Sequence, residues 1–161
     1  MLDIAINPDQ PAEEFYAELA SSAAALVDGE PDGIANMANI AALIWQYVPR
    51  LNWAGFYRLV DGELVLGPFQ GKTACIRIAM GAGVCGTAAV TGQVQRVADV
   101  HAFPGHIACD ADSRSELVVP VVKNGKVIAV LDLDSPLPDR FAQADEAGLV
   151  RLIERIANNL G

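Results

Sequence analysis

The stretch Leu117-Val118-Val119-Pro120-Val121-Val122-Lys123-Asn124-Gly125-Lys126-Val127-Ile128-Ala129-Val130-Leu131-Asp132-Leu133-Asp134 decides the fold. Two apolar, β-branched runs flank Asn124-Gly125, a pair suited to a tight hairpin turn. The segment therefore reads as antiparallel strands over 117–122 and 126–134. Upstream, 52–60 and 63–66 flank Asp61-Gly62 and read as a second hairpin. Shorter strands are expected over 74–78 and 93–98.

Outside the strands the apolar period lengthens to that of a helix. Pro11 opens the first, with Glu13 and Glu14 in its first turn; Phe15, Leu19, Ala23 and Leu26 share a face, and Gly29 stops it. A second helix is expected over 31–48, with Met37, Ile40, Ile44 and Val48 inward. A last one, over 143–160, turns Leu149, Leu152, Ile153, Ile156 and Leu160 inward. This order makes an α+β fold, an antiparallel sheet with the N- and C-terminal helices on one face. The other face needs a cover. The polar segment 99–114 is the available material, so a loop-covered ligand pocket is expected there. No repeat or linker interrupts the chain, and one domain over residues 1–161 is expected.

A formal net charge of −9 argues against nucleic acid and anionic membranes as partners, because both repel it at long range. The N-terminus lacks the basic and apolar regions of a secretory signal, and no uncharged run supplies the roughly 20 mainly apolar residues of a bilayer span. A cytoplasmic protein is expected. Cys75, Cys85 and Cys109 cannot all pair within one chain, and a reducing cytosol keeps them as free thiols at rest.

The three thiols have different settings. Cys109 lies in Phe103-Pro104-Gly105-His106-Ile107-Ala108-Cys109-Asp110-Ala111-Asp112-Ser113, an irregular loop well placed for substrate, although Asp110 and Asp112 oppose its thiolate. Cys85 sits in Gly81-Ala82-Gly83-Val84-Cys85-Gly86-Thr87, a glycine-rich turn entering a short helix. Exposed N–H groups there favour a thiolate or a substrate carboxylate. Cys75 shares an apparent strand with Ile76, Arg77 and Ile78, where a core role reads most strongly. His101, His106 and Cys109 fall within nine residues, but no Cys-x-x-Cys or zinc-finger spacing accompanies them, and no metal is expected.

Carboxylates form another group. Asp132 and Asp134, two apart on a strand, share a sheet face and continue the row of Ile128 and Val130. A two-residue Asn124-Gly125 loop pairs Glu116 with Leu133, on the opposite face. A three-residue Lys123-Asn124-Gly125 loop with a bulge pairs it with Asp132, and is slightly preferred. Three acids together repel unless a cation or shared proton intervenes; a solvated strand end is the other reading.

Seven segments then carry a resemblance: Asn52-Trp53-Ala54-Gly55-Phe56-Tyr57, Leu66-Gly67-Pro68-Phe69-Gln70-Gly71, Ala74-Cys75, Gly83-Val84-Cys85-Gly86, Phe103 through Asp110, Ser115-Glu116 and Val130-Leu131-Asp132-Leu133-Asp134-Ser135. In this order they resemble the signature of the free methionine-(R)-sulfoxide reductases, enzymes built on a GAF domain. Ala82 and Ala129 depart from it, standing where a basic residue and a glycine are expected. The resemblance implies a GAF-like fold, a homodimer, and reduction of free methionine-(R)-sulfoxide by thiol chemistry without metal, flavin or nicotinamide. It implies Cys109 as the attacking thiol, Cys75 as the resolving thiol, Cys85 as an additional or alternative partner, and Trp53 and Tyr57 as the wall around the methyl-sulfur end.

Chemistry adds a requirement of its own: a sulfoxide becomes electrophilic when its oxygen accepts a proton, so a general acid belongs beside the nucleophile. Glu116 with Asp132 and Asp134 suits that role, and the remaining charge suits the substrate ammonium. A second thiol closes a disulfide, which a thioredoxin-like dithiol reduces. The alternatives are a noncatalytic GAF-type small-molecule sensor and a peroxide-sensing thiol protein.

Overall fold

Asn124 and Gly125 both adopt left-handed backbone, φ 51° and 73°, closing a two-residue turn with Lys123 opposite Lys126. The structure, a computed structural model, describes residues 4–107 and 109–161. Helices α1 (Ala12–Val27) and α2 (Gly33–Tyr47) precede strands β1 (Trp53–Val60), β2 (Glu63–Gly71) and β3 (Arg77–Ala79). Then come α3 (Gly83–Thr91), β4 (Gln95–Val97), β5 (Ser115–Lys123), β6 (Lys126–Ser135) and α4 (Gln143–Ile156). The strands make an antiparallel sheet in the order β3-β2-β1-β6-β5-β4. No helix among the described residues is long and apolar enough to cross a membrane.

Strand alternation divides the apolar residues between two cores. Ala54 and Phe56 of β1, Leu117 and Val119 of β5, and Leu131 and Leu133 of β6 face α1, α2 and α4, meeting Leu19, Ile40, Ile44, Leu149 and Ile156. Trp53, Tyr57, Val118 and Val130 point the other way, against Val84, Cys85 and Ala88 of α3. The helices start where their caps allow: Asp32 accepts hydrogen bonds from the N–H groups of Ile34 and Ala35 at 2.8 and 3.0 Å. The last helix is shorter than its apolar pattern, tightening after Ile156 into a 3₁₀ turn that still buries Leu160.

Several expected boundaries change. Strand β2 runs on to Gly71, and β4 is confined to Gln95–Val97. Strand β3 begins at Arg77, so the half-buried Cys75 precedes it rather than lying in a core strand. The edge strand pairs only with Glu63, Leu64 and Val65, which limits its length. The hairpin register also differs. The turn has two residues, and an irregularity follows it, with Val122 opposite Val127 but Val121 opposite Ala129. The extra residue, Ile128, packs with the helix-side core instead of sharing a row with Val130. Glu116 therefore pairs with Asp134, not Asp132, and still lies on the face of both aspartates.

Candidate active site

Two rows of side chains cross the pocket face of the sheet. In one, Asp134 stands between Trp53 and Glu116; in the next, Asp132 stands between Gly55 and Val118. Trp53, Tyr57, Glu116, Asp132 and Asp134 all line one pocket. Glycine 86 lets α3 close over this floor. A Cβ there would fall 2.6 Å from the Ala79 carbonyl oxygen, so any larger residue would push the helix and Cys85 away.

The floor is largely buried and, among the described residues, short of positive charge. Glu116 and Asp132 are each 6% exposed, and no cation pairs with either, or with Asp134, among the described residues. Burial, reinforced by the charge of Asp132, holds Glu116 and Asp134 well above the usual carboxylate range. Burial pushes Asp132 up to about 6. Glu116 and Asp134 are thus acids that keep protons near neutrality, rather than a solvated strand end. Tyr57 is held protonated by burial and then by the Asp132 charge; its hydroxyl donates to the Cys75 carbonyl oxygen at 2.9 Å. Trp53 donates from Nε1 to the Lys72 carbonyl oxygen at 3.1 Å and stacks between Tyr57 and Phe69.

Cys85 lies 3.9 Å from Glu116 Oε1 and is buried. Burial first, and the three carboxylates next, push its thiol upward. The N-terminal turn of α3 favours a thiolate, but desolvation and the surrounding acids outweigh it. Cys85 is thus a protonated thiol here.

The cover comes from segment 99–114, of which His106, Ile107, Cys109, Asp110 and Ser113 line the pocket. Cys75 and Cys109 are not the free thiols expected at rest: they form a disulfide across a Cα–Cα distance of 5.5 Å, within the usual range for a bridge. The bridge joins the segment before β3 to the cover. Asn52 adds two ties, its Nδ2 donating to Asp110 Oδ2 at 3.1 Å and Ser113 Oγ at 3.0 Å.

Lys72 forms ion pairs with Asp110 and Asp112, offsetting the negative charge beside Cys109. The Asp112 N–H, the Asn52 amide and Lys72 together hold Asp110 below the ordinary carboxylate range. Sequence reasoning missed Lys72 and Ser113, because nothing in their spacing connects them across the fold. The conspicuous lysine three residues before Cys75 was the one available signal.

His106 faces the pocket, and burial lowers its pKa. Its ring centroid is 6.5 Å from that of the exposed His101, while Cys109 is committed to the disulfide, so these three residues make no ligand set. Of the two departures from the expected signature, Ala82 lines the pocket and Ala129 is buried in the helix-side core. The arrangement brings a disulfide-bonded Cys109, carboxyl groups of raised pKa and the Trp53 and Tyr57 rings to one pocket.

Comparison with known proteins agrees with this layout. The family described as GAF domain matches residues 35–160. The chain is 53% identical over 143 residues to the free methionine-R-sulfoxide reductase of Escherichia coli (strain K12), covering 89% of this chain and 87% of that one. It is 44% identical over 152 residues to the Saccharomyces cerevisiae protein of the same name, covering 89% and 84%. The X-ray structure of free methionine-R-sulfoxide reductase from Neisseria meningitidis in complex with its substrate superposes with a TM-score of 0.94 at 38% identity. That match covers 99% of this chain and 96% of the other.

Proposed function

This chain belongs to the free methionine-R-sulfoxide reductase family, and we propose that it reduces free methionine-(R)-sulfoxide to methionine through Cys109. The observation that carries the reading is the Cys75–Cys109 disulfide, whose Cys109 lines the same pocket as Glu116 and Asp134, carboxyl groups held well above their usual range. Its reduced form offers a nucleophile above a proton source.

In the first stage the Cys109 sulfur attacks the sulfoxide sulfur while Glu116 delivers a proton to the sulfoxide oxygen. The protonated oxygen then passes to the Cys109 sulfur as its bond to the substrate sulfur and the transient sulfur–sulfur bond both break, so methionine leaves and Cys109 is left as a sulfenic acid. The sulfoxide is reduced by two electrons and the thiol is oxidised by two. In the second stage the Cys75 thiol displaces that oxygen as water and closes the disulfide. Cys85 is the alternative second thiol. A thioredoxin-like dithiol then reduces the bridge by exchange; Ile76, next to Cys75 and 70% exposed, supplies an apolar contact for it.

Substrate binding follows the same geometry. Charge remaining on Asp132 holds the ammonium, and Trp53 and Tyr57 bracket the methyl-sulfur end. Residues 1–161 act as one GAF-like domain in the cytoplasm, where such exchange has its reductant. A homodimer forms through the N-terminal helices, where Ile34 and Trp45 of α2 remain 43% and 40% exposed.

The direct test supplies the reduced protein with each sulfur stereoisomer of free methionine sulfoxide and a dithiol, following methionine release. Turnover of the R form is expected. Failure of both forms to turn over, with the three thiols reduced, would reject the reading.

A further inference from the structure

We propose that the pocket floor is also a binding site for a thiophilic divalent cation of the zinc class, held by Cys85, Glu116 and Asp132 and competing with the substrate ammonium. One potential ligand atom from each residue lies within 4.8 Å of the other two, and all three residues are buried. The closest measured approach is Cys85 Sγ to Glu116 Oε1, 3.9 Å. A zinc ion with bonds of about 2.3 Å to sulfur and about 2.0–2.2 Å to oxygen separates tetrahedral ligand atoms by roughly 3.6 Å. Small side-chain rotations bring the set to that size.

A second observation points to a ligand independently of the cluster. Asp132 Oδ1 is buried and has no hydrogen-bond partner among the described residues, while the residue is 6% exposed and lines the pocket. A buried carboxylate oxygen without a partner is costly, and a cation reaching it through the pocket removes that cost. The donor set selects the cation. Sulfur beside two carboxylates fits zinc or cobalt, whereas magnesium and calcium take oxygen ligands almost alone. Three protein ligands leave a fourth position open toward the pocket. Binding displaces the Cys85 proton and any carboxyl protons to solvent; no oxidation occurs. The ion then occupies the acids that the ammonium needs, making it an inhibitor rather than a cofactor.

The test uses the full chain with its Cys75–Cys109 disulfide intact, so that Cys85 is the only thiol. Cobalt(II) is titrated at neutral pH and read by its thiolate charge-transfer absorption, followed by displacement with zinc. One cobalt per chain, displaced by zinc and insensitive to magnesium or calcium, is expected. Cys85→Ser should abolish the band. Even outer-shell partners of a metal are worth about 10–100-fold in affinity, so Asp132→Asn should weaken zinc binding by at least that factor.

A His101→Ala/His106→Ala variant should keep the site, and its loss there would assign the ion to the cover histidines and overturn the proposal. So would absence of the band in the wild type, which needs no variant to fold. Added methionine should lower the apparent cobalt affinity; if it does not, the shared-acid competition is rejected. Because no turnover is involved, a negative result leaves the reductase reading intact.

Discussion

Glu116 and Asp134 stand directly opposite each other across β5 and β6, one buried and one half-buried acid on the pocket face, paired with no cation among the described residues. Neither can ionise freely while the other is charged, which makes one of them a proton donor near neutrality. Glu116→Gln keeps the volume and removes the proton. General acids contribute about 10²–10⁴-fold, so single-turnover methionine formation should fall within that range. In the unaltered protein that rate should decline as pH rises through the elevated carboxyl range, and Glu116→Gln should lose the decline. Asp134→Asn should cost less, since it raises its neighbour's pKa without donating. Saturating single-turnover measurements against pH decide it, and an unchanged Glu116→Gln profile would reduce the residue to part of a strand end.

Asp132 has a consequence for stability. Its pKa rises from an ordinary 3.8 to about 6 in the folded chain, so the native state binds the proton more tightly than the unfolded one. Its contribution is fully present below about pH 4 and is lost as pH rises through about 6. Two pKa units correspond to roughly 3 kcal/mol at most. Asp132→Asn should therefore raise stability at pH 7–8 and flatten the decline between pH 4 and 7. Urea unfolding across that range tests this, and a variant less stable than wild type at pH 8 would contradict it.

The cysteines should separate by stage. Cys109→Ser should make no methionine, even in the first turnover. Cys75→Ser should yield one equivalent and then stall as a sulfenic acid unless Cys85 replaces it. Rapid-quench methionine assays, with trapping of the sulfenic acid by dimedone and mass analysis, check both. Normal steady-state turnover by Cys109→Ser would remove that residue from the nucleophile's role.

Lys72 is exposed, and its influence is electrostatic. Lys72→Gln leaves Asp110 and Asp112 uncompensated beside Cys109, so the reduced thiol should titrate at higher pH and alkylate more slowly near neutrality. The loss should shrink as salt is added. Iodoacetamide kinetics in a Cys75→Ser/Cys85→Ser background isolate the effect; rates equal to those with Lys72 would show that the pairing only anchors the cover.

Recognition of the free amino acid should depend on its charged amine. N-acetylated and peptide-embedded methionine sulfoxide lose the ammonium proposed to pair with Asp132, and they add bulk beneath the cover. Both should show sharply reduced kcat/KM against the free form under the same dithiol conditions. Equal values on all three would contradict an enclosed pocket.

Much of this architecture is written in local pattern. Alternation over β1, β5 and β6 and the helical period of α1, α2 and α4 assign the two faces, because burial is periodic wherever one side meets a core. The strand expected around Cys75 fails because Ile76 and Ile78 resemble a core strand, whereas Ile76 is exposed and only Ile78 turns inward. The Lys72 ion pairs and the Asn52 ties join residues about 40 to 60 apart in sequence, a separation no periodicity encodes. Desolvation of Cys85 was invisible for the same reason: it arises when β5, β6 and α3 converge.

Ile128 gives the hairpin an odd-numbered correction. With one extra residue on β6, every position beyond it changes parity relative to the turn, and the acids end up facing the pocket. Ile128 lies six residues from Asp134, about 20 Å along an extended strand. A single-residue deletion between Ala129 and Leu131 would leave every one of these side chains in the sequence but, if the turn and the bulge held their pairing, would set Glu116 opposite Ser135 and send it to the opposite face from Asp132 and Asp134. For this fold, the length of a stretch with no chemistry of its own is as decisive for the acid cluster as the identity of its members.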